Sequence, residues 1–250
     1  MTGGKKVIIV GGHGNVSLRL ARLLAPKNAV TSIIRTIDHS KDIQEAGATP
    51  LLLSLEDASV KEFAVAFESQ DIVYFSAGAG GSGGEERTKK VDYEGAMNIF
   101  YAIEAVKGSK LRLILVFAID VRGPEKIPAY CNEADIETSK RVRAAIPAYM
   151  HWKYGADKNL VKRDAFKWTI LPPGGLTNNP GTGKASAGRT HITTPISRDG
   201  VTQALALLVD KTDSFGLPID IVGGDTPIAE GLDKAIKTIV LISNEKVGLA

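Results

Sequence analysis

Residues 6–17 read KVIIVGGHGNVS, an apolar run that enters a glycine-rich turn. The run Lys6–Val10 is almost continuously apolar, which is typical of a strand that is buried on both faces of a sheet. Beyond the turn, apolar residues recur with the spacing of one helix face, namely Val16, Leu20, Leu23 and Leu24. The stretch therefore predicts a strand, a tight turn and an amphipathic helix.

The turn has the spacing G-x-x-G-x-x-S, and Ser17 stands where a third glycine is usual. Glycine lets the chain reverse sharply and lets its backbone approach an anion without a Cβ in the way. Amide groups at a helix start are unpaired and favour negative charge. We therefore interpret the turn as a site for the diphosphate of a dinucleotide, in preference to a tight turn without a ligand. Its expected binding residues are Gly11, Gly12, His13, Gly14, Asn15 and Val16.

The rest of the chain continues the alternation of short apolar runs with helical periods. Strands are predicted at Lys6–Val10, Val30–Ile34, Pro50–Leu53, Ile72–Phe75, Leu111–Phe117 and Trp168–Leu171. Strands that alternate with helices form right-handed crossovers. The sequence thus predicts an α/β Rossmann fold with a doubly wound, mostly parallel sheet and helices on both faces. The expected strand order is 3-2-1-4-5-6, with a short C-terminal strand at Ile219–Val222 and a last helix that begins with Pro227.

We expect residues 1–250 to form a single NAD(P)-binding domain. The segment Pro172–Arg189 contains two Pro/Gly clusters and is predicted to be an irregular loop of the kind that is functional or mobile. The elements from about residue 172 onward are expected on the substrate side, and they are too small to form an independent domain.

The composition narrows the classes of protein. The chain has 250 residues, 44% of them hydrophobic and 24% charged, which excludes a wholly disordered chain. A formal net charge of +3 gives no indication of nucleic-acid binding. The single cysteine, Cys131, excludes an intrachain disulfide and a Cys-rich metal site, and no metal is expected. No apolar stretch resembles a signal peptide or a membrane span, so a cytoplasmic location is expected. A small-molecule substrate is the expected partner, and no feature specifies the oligomeric state.

The end of the second predicted strand indicates which dinucleotide is bound. An acidic residue there would bind a ribose 2′-hydroxyl. The chain instead reads IIRT over residues 33–36, with no carboxylate before Asp38. A guanidinium can pair with a 2′-phosphate through two hydrogen bonds. Arg35 therefore favours NADP(H) over NAD(H), the alternative being a solvated charge at a strand end.

Further motifs follow the glycine turn in a fixed order: IVYFSAGAGG at 72–81, VDYEG at 91–95, TILPPGGLT at 169–177, PGTG at 180–183 and ISRD at 196–199. Together with the turn, they resemble the atypical, extended branch of the short-chain dehydrogenase/reductase superfamily. The similarity is to its NAD(P)-binding, flavin-reductase and biliverdin-reductase-like members, and it spans nearly the whole chain.

This resemblance implies further cofactor contacts. It implies that Ser76, Ala77 and Gly78 line the adenosine side of the cofactor and that Ser54 and Leu55 lie beside the adenine. Relatives often carry an aspartate where this chain has Ser54. The turn that contains Pro173, Gly174 and Leu176 is implied to border the nicotinamide.

Residues 154–158 read YGADK, a Y-x-x-x-K motif whose two ends share one face of a helix. In the resembled family, such a tyrosine donates a proton to a substrate carbonyl, and the lysine holds ribose hydroxyls of the cofactor. Tyr154 and Lys158 are therefore the predicted catalytic pair, and Lys158 also a cofactor contact. The alternative is a surface helix with an extended lysine. Tyr149 is assigned no role.

The family's third catalytic residue, a serine at the end of the fifth strand, is replaced in this chain. Residues 113–120 read LILVFAID, and Phe117 stands at the place of the serine beside the cofactor. A phenyl ring cannot donate a hydrogen bond to a developing oxyanion, and loss of one such donor costs about 10²–10³ in rate. Two hypotheses stay open. One is an NADP-dependent oxidoreductase that reduces a small carbonyl, quinone or flavin-like acceptor; the other is a non-catalytic NADPH-binding sensor that engages a protein partner.

Overall fold

Short apolar runs form the main sheet in the computed structural model of the chain. The structure describes residues 4–80, 83–107 and 111–247, with side chains up to residue 240. The six long strands of the sheet begin and end within one residue of the predicted bounds: β1 (Lys6–Val10), β2 (Ala29–Ile34), β3 (Thr49–Leu52), β4 (Ile72–Phe75), β5 (Arg112–Val116) and β6 (Lys167–Leu171).

Within the described residues, the main sheet has seven strands in the order β3-β2-β1-β4-β5-β6-β10, where β10 is Leu217–Pro218. Every neighbouring pair in it is parallel. The predicted doubly wound order is confirmed. The order reverses between β1 and β4, and their carboxyl ends therefore open a crevice at which α/β proteins bind ligands.

Helices cover both faces of the sheet: α1 (Asn15–Leu24), α2 (Ser40–Glu45), α3 (Val60–Phe67), α4 (Gly84–Thr88), α5 (Gly95–Ala105), α6 (Glu133–Ala145), α7 (Pro147–Leu160), α8 (Arg198–Leu208) and α9 (Ile228–Val247). Alternate residues of β1 belong to different hydrophobic clusters. Val7 and Ile9 pack with α1, α8 and α9, whereas Ile8 and Val10 pack with α3, α5 and α7. This explains why the strand is apolar at every position.

The C-terminal part departs from the prediction in detail. The segment Pro172–Arg189 is not wholly irregular, because it contains β7 (Leu176–Thr177) and β8 (Lys184–Ala187). β7 pairs with β9 (Ile196–Ser197), and β8 pairs antiparallel with β11 (Ile221–Pro227). The sequence KASA of β8 has no apolar run that would predict a strand. A Cβ on Gly224 would lie 2.5 Å from the Ser186 amide nitrogen, so the pairing depends on the close approach of a glycine backbone.

The short C-terminal strand of the main sheet is present, but it begins earlier than predicted. β10 starts at Leu217, and the ladder continues as the amides of Ile219 and Ile221 donate to the carbonyls of Ile170 and Pro172 at 2.9 and 3.1 Å. Ile221 and Val222 belong to β11, which leaves the main sheet to pair with β8. Pro227 ends this strand and precedes α9 instead of forming its first residue.

Two buried polar side chains attach the sheet to the end of α8. The Tyr74 hydroxyl donates to the Leu205 carbonyl at 2.7 Å, and the Arg112 guanidinium donates to the Leu208 carbonyl at 2.6 Å. Arg112 also donates to the Ser214 hydroxyl at 2.7 Å. Burial lowers the pKa of Arg112 to about 10. Neutral oxygens thus accept hydrogen bonds from both terminal nitrogens of a buried guanidinium.

Across residues 4–80, 83–107 and 111–247, we find no helix whose length and apolar character would let it cross a membrane.

Tyr74→Phe is expected to lower the free energy of unfolding by about 1–3 kcal/mol, because the buried Leu205 carbonyl loses its donor. Tyr101→Phe is the matched control, since the Tyr101 side chain is exposed. It is expected to change stability by less than about 0.5 kcal/mol. Urea denaturation followed by circular dichroism measures both values, and equal stabilities of the two variants would contradict this role of the Tyr74 hydroxyl.

Candidate functional site

The turn after β1 passes close to its neighbouring strands. Gly11 has a φ of +82°, a conformation that favours glycine, and a Cβ there would lie 2.7 Å from the Ala77 Cα. A Cβ on Gly12 would lie 2.6 Å from the Ser32 Cβ. Side chains at either position would therefore push the turn away from the ends of β2 and β4.

The start of α1 offers unpaired amides beside this turn. The first bond inside the helix runs from the Leu18 amide to the Gly14 carbonyl at 2.9 Å. The preceding amides of Asn15, Val16 and Ser17 therefore have no intrahelical acceptor, and the helix dipole makes this end positive. Ser17 is fully buried, and its hydroxyl lies 3.4 Å from the place of a Cβ on Gly14, so serine fits where a third glycine is usual.

A groove of about 250 Å³ opens over the turn at the point where the strand order reverses. We call it the switch-point groove. Ten of the residues expected to contact the cofactor line it: Gly11, Gly12, His13, Gly14, Arg35, Ser54, Leu55, Ser76, Ala77 and Gly78. Asn15 and Val16 begin the helix next to it. Glycine walls that a Cβ would fill, together with positive amides, fit the diphosphate of a dinucleotide.

One end of this groove carries several basic side chains. Arg35 is 60% exposed, with its guanidinium 3.4 Å from the Glu56 carboxylate, and the Arg87 guanidinium lies 4.0 Å from the same carboxylate. His39 also lines this end, and its ring stacks on that of His13 at 3.5 Å. Arg35 is predictable from its place at the end of β2, whereas Arg87 and His39 belong to no motif. Two guanidiniums against one carboxylate leave this end positive.

His13 is held in place by more than stacking. Its Nε2 lies 2.7 Å from the Asp42 carboxylate on α2. This hydrogen bond lowers the pKa of Asp42. The imidazole therefore forms part of the groove wall with a fixed orientation.

A buried ion pair that no sequence motif indicated lies close to Gly78, behind the lining of the groove. The Lys153 ammonium on α7 lies 2.9 Å from the Asp92 carboxylate, and the two side chains are only 4% and 0% exposed. The second Asp92 oxygen accepts the Ala79 amide at 3.1 Å. Burial disfavours the charge on Lys153, but Tyr149 and Asp92 outweigh it, and the pKa of Lys153 is raised. Asp92 lies in a π-helical segment, Lys89–Glu94, a local irregularity frequent at functional sites.

The chain contains two consecutive Y-x-x-x-K matches, 149–153 and 154–158. Tyr149 lines a cavity beside the groove, and the Lys153 Nζ lies 5.2 Å from the Tyr149 ring centre. Neither Tyr154 nor Lys158 lines the groove or the cavity, and Lys158 is exposed. Lys153 does not line them either, but it is buried, and its ammonium lies over the ring of Phe117, which lines the cavity. A shift of five residues turns a side chain by about 140° around a helix, so the two pairs occupy different faces of α7.

The cavity beside Tyr149, which we call the side cavity, has a volume of about 610 Å³. Phe117, Pro173, Gly174 and Leu176 line it, and none of these four lines the switch-point groove. The Pro173 carbonyl accepts the Ile119 amide at 3.1 Å, which fixes the turn after β6 against the end of β5. The turn that the family resemblance put beside the nicotinamide thus forms a wall of the side cavity.

Phe117 has a contact that a serine could not make. Its ring is 5% exposed, and the Lys153 ammonium lies 4.2 Å from the ring centre. A cation over an aromatic face is attracted to it. At this position the side chain therefore stabilises the charge of Lys153 and does not supply a hydrogen-bond donor.

Asp120, three residues beyond, has a φ of +62°, which is uncommon for a residue with a side chain. Its carboxylate lies 2.7 Å from the Arg122 guanidinium and 3.4 Å from that of Arg143. Ser139 donates a further hydrogen bond at 2.5 Å. The charge of Asp120 is thus compensated within the wall of the side cavity.

Comparison with known proteins agrees with this arrangement. The profile of a family described as NAD(P)H-binding matches residues 11–212. A UPF0659 protein of Schizosaccharomyces pombe is 36% identical over 230 residues, which cover 90% of this chain and 92% of the relative. An uncharacterized sugar epimerase of Bacillus subtilis, YhfK, is 34% identical over 231 residues, covering 92% of this chain and 99% of the relative.

A solved structure from Bacillus halodurans, described as an NAD-dependent epimerase/dehydratase, has the same fold. It superposes with a TM-score of 0.76 at 28% identity, covering 92% of this chain and 100% of that chain. The predicted Rossmann fold and the predicted resemblance to NAD(P)-binding proteins of the short-chain dehydrogenase/reductase type are confirmed.

A smaller cavity of about 230 Å³ lies next to the side cavity, and three carboxyl groups line it, those of Asp120, of Asp157 on α7 and of Asp220 after β10. Burial raises the pKa of Asp157 to about 6, against the effect of Lys153. Burial, with repulsion from Asp120 and Asp157, raises the pKa of Asp220 to about 7. The folded chain therefore binds protons more tightly than the unfolded chain at these groups, and this contribution to stability is lost as the pH rises from 3.8 to about 7.

Asp220→Asn is expected to remove much of this pH dependence. At pH 8 the variant should be more stable than the wild type by about 1–3 kcal/mol, because it carries no buried charge, whereas at pH 4 the two should be similar. Urea denaturation across this pH range measures the effect. Asp164→Asn, at an exposed position, is the control and should keep the wild-type slope. Identical pH slopes for wild type and Asp220→Asn would refute the assignment.

Proposed function

Because this chain belongs to the NAD(P)H-binding family, we propose that it is an NADP-dependent oxidoreductase that reduces a small carbonyl, quinone or flavin-like acceptor. The observation that carries the proposal is the position of Lys153 and Tyr149. The Lys153 ammonium lies 3.9 Å from the place of a Cβ on Gly78, which lines the switch-point groove, and Tyr149 lines the side cavity. The pair thus stands where a cofactor and an acceptor would meet.

Different residues would bind different parts of the cofactor. The glycine turn and the first amides of α1 would bind the diphosphate. Arg35 and Arg87 would bind the 2′-phosphate of the adenosine ribose, displacing the weak pairing with Glu56. Lys153 would donate hydrogen bonds to the hydroxyls of the nicotinamide ribose. Positive groups would therefore contact the 2′-phosphate, the diphosphate and the nicotinamide ribose.

NADPH, when bound, supplies the hydride for the acceptor carbon. Tyr149 is proposed to donate its hydroxyl proton to the acceptor oxygen, so that a carbonyl becomes an alcohol and the tyrosine is left as a phenolate. Lys153 stabilises that phenolate through its positive charge. Asp92 acts as a positioning residue, because it holds the ammonium in place without touching the acceptor.

Because Phe117 has no hydrogen-bond donor, it favours acceptors whose reduction does not require a second donor to the acceptor oxygen. No second donor is available at the end of β5, so charge that develops on the acceptor oxygen is best delocalised over the acceptor itself, as in a quinone or a flavin. The same residue supports the second candidate, a sensor that binds NADPH without turnover and engages a protein partner. NADPH oxidation by quinones, flavins and aldehydes distinguishes the two, since a sensor binds NADPH tightly and oxidises none of it.

Arg35→Ala is expected to weaken NADPH binding by about 10- to 100-fold and NADH binding by less than about twofold, because only NADPH offers a phosphate to the guanidinium. Calorimetric titration with each dinucleotide measures both constants. Arg22→Ala, at an exposed position on α1, is the control and should leave both unchanged. Equal losses for the two dinucleotides would exclude Arg35 as the selecting residue.

Tyr149→Phe is expected to lower the rate of NADPH oxidation with an aldehyde by about 10²–10⁴-fold without weakening NADPH binding, because the proton donor is lost and the cofactor contacts remain. Tyr154→Phe should keep the rate within about twofold, since Tyr154 lines neither the groove nor the side cavity. Steady-state assays of both variants provide the comparison. The reverse pattern would restore Tyr154 as the proton donor.

A further inference from the structure

The side cavity has an apolar interior of the size used for small ligands. Its volume of about 610 Å³ lies within the usual range for such sites. Its apolar lining comes from the end of β5, from α6, α7 and the residue between them, from the turn after β6 and from the segment before β9, and it includes Phe117, Val142, Ile146, Met150 and Leu176. Tyr149 is the hydroxyl-bearing aromatic of this wall. A ring system could therefore lie on these side chains with its reactive atom at Tyr149.

The charged residues of the same lining do not balance. They are Asp120, Arg141 and Arg198. The Asp120 carboxylate is already paired with the guanidiniums of Arg122 at 2.7 Å and Arg143 at 3.4 Å. It therefore does not neutralise the charges of Arg141 and Arg198. The Arg198 guanidinium donates to the neutral Asn178 side chain at 2.9 Å. Over the described residues, neither Arg141 nor Arg198 forms an ion pair with a carboxylate, so the cavity keeps an excess of positive charge.

The two arginines are fixed to different elements of the cavity. Arg141 lies on the exposed side of α6, and Arg198 is the first residue of α8, whose start is capped by the Ser197 hydroxyl at 3.0 Å from the Gly200 amide. Asp199, next to Arg198, is engaged by Arg19 at 2.8 Å and by the Gly181 amide at 3.1 Å. The nearest carboxylate in sequence is thus committed elsewhere, and the positive helix end adds to the charge of Arg198.

We propose that the acceptor of this cavity carries an anionic group, a carboxylate or a phosphate, which Arg141 and Arg198 bind while its apolar part lies on Phe117, Met150 and Leu176. This inference rests on the proposed oxidoreductase function and names the class of its substrate. Guanidinium pairs bind both kinds of anion through parallel hydrogen bonds, which also fix the orientation of the bound molecule. The anionic group would anchor the acceptor at a distance from the reacting atom. An acceptor without this group would therefore bind with lower affinity.

Two matched pairs of probes test the charge alone. FMN and riboflavin differ by a phosphate, whereas 4-carboxybenzaldehyde and methyl 4-formylbenzoate differ by the charge of a carboxylate. Dissociation constants are measured by calorimetry on the full chain saturated with NADP⁺, and NADPH oxidation is followed separately for each compound. The variants are Arg141→Gln and Arg198→Gln, with Lys140→Gln as the control, an exposed neighbour on α6 that does not line the cavity.

The charged member of at least one pair is expected to bind at least about tenfold more tightly than its neutral partner. Each arginine variant should reduce that preference by about tenfold, chiefly through the charged member, and Lys140→Gln should preserve it. Which pair shows the preference identifies the anion as phosphate or carboxylate. Thermal melts establish that the variants are folded.

Absence of a preference in both pairs, or a preference that survives both arginine variants, would overturn the inference. A tenfold loss of NADPH affinity in Arg198→Gln would also count against it, since Arg198 would then belong to the cofactor site. Turnover without a charge preference contradicts only this inference. A charge preference without any NADPH oxidation contradicts the proposed function instead and leaves the anionic ligand class in place.

Discussion

The buried ion pair between Lys153 and Asp92 is the interaction on which the rest of the site depends. The side chains are 4% and 0% exposed, so either charge without the other would cost several kcal/mol. The pair joins α7 to the π-helical segment, and its second carboxylate oxygen binds the Ala79 amide after β4. It therefore fixes three elements relative to one another. The ammonium is held over the ring of Phe117, which lines the side cavity, and close to Gly78, which lines the switch-point groove.

The groove complements this pair with a sequence of positive features along its length. Guanidiniums stand at one end, unpaired helix amides lie at the glycine turn, and the buried Lys153 ammonium lies behind the lining, 3.9 Å from the place of a Cβ on Gly78. The glycines keep the backbone close enough for these groups to act on one ligand, since a Cβ on Gly11 would lie 2.7 Å from the neighbouring strand end. Close backbone packing and charge placement thus support the same interpretation, an extended dianionic or trianionic dinucleotide.

The strands of the main sheet and one end of the groove could be predicted from the sequence, because their signals are local. The apolar strands, the turn and Arg35 lie in short segments whose spacing has a direct geometric meaning. The choice between Tyr149–Lys153 and Tyr154–Lys158 could not be made from the motif, since both match it equally. One signal was available. Buried Met150, Ala156 and Leu160 share the face of α7 that contains Lys153, which indicates a buried lysine in need of a carboxylate.

Other residues could not be predicted, because their roles arise from contacts distant in the chain. Arg87 meets Glu56 across the groove, and no spacing relates the two. The strand β8 has small residues and forms because a glycine backbone approaches it.

A crystal structure of the protein with NADP⁺ would test whether Lys153 is the lysine that binds the cofactor. The nicotinamide ribose hydroxyls are expected within hydrogen-bond distance of the Lys153 ammonium, with the nicotinamide ring facing the side cavity. A nicotinamide bound away from Lys153, or beside Lys158, would contradict this expectation.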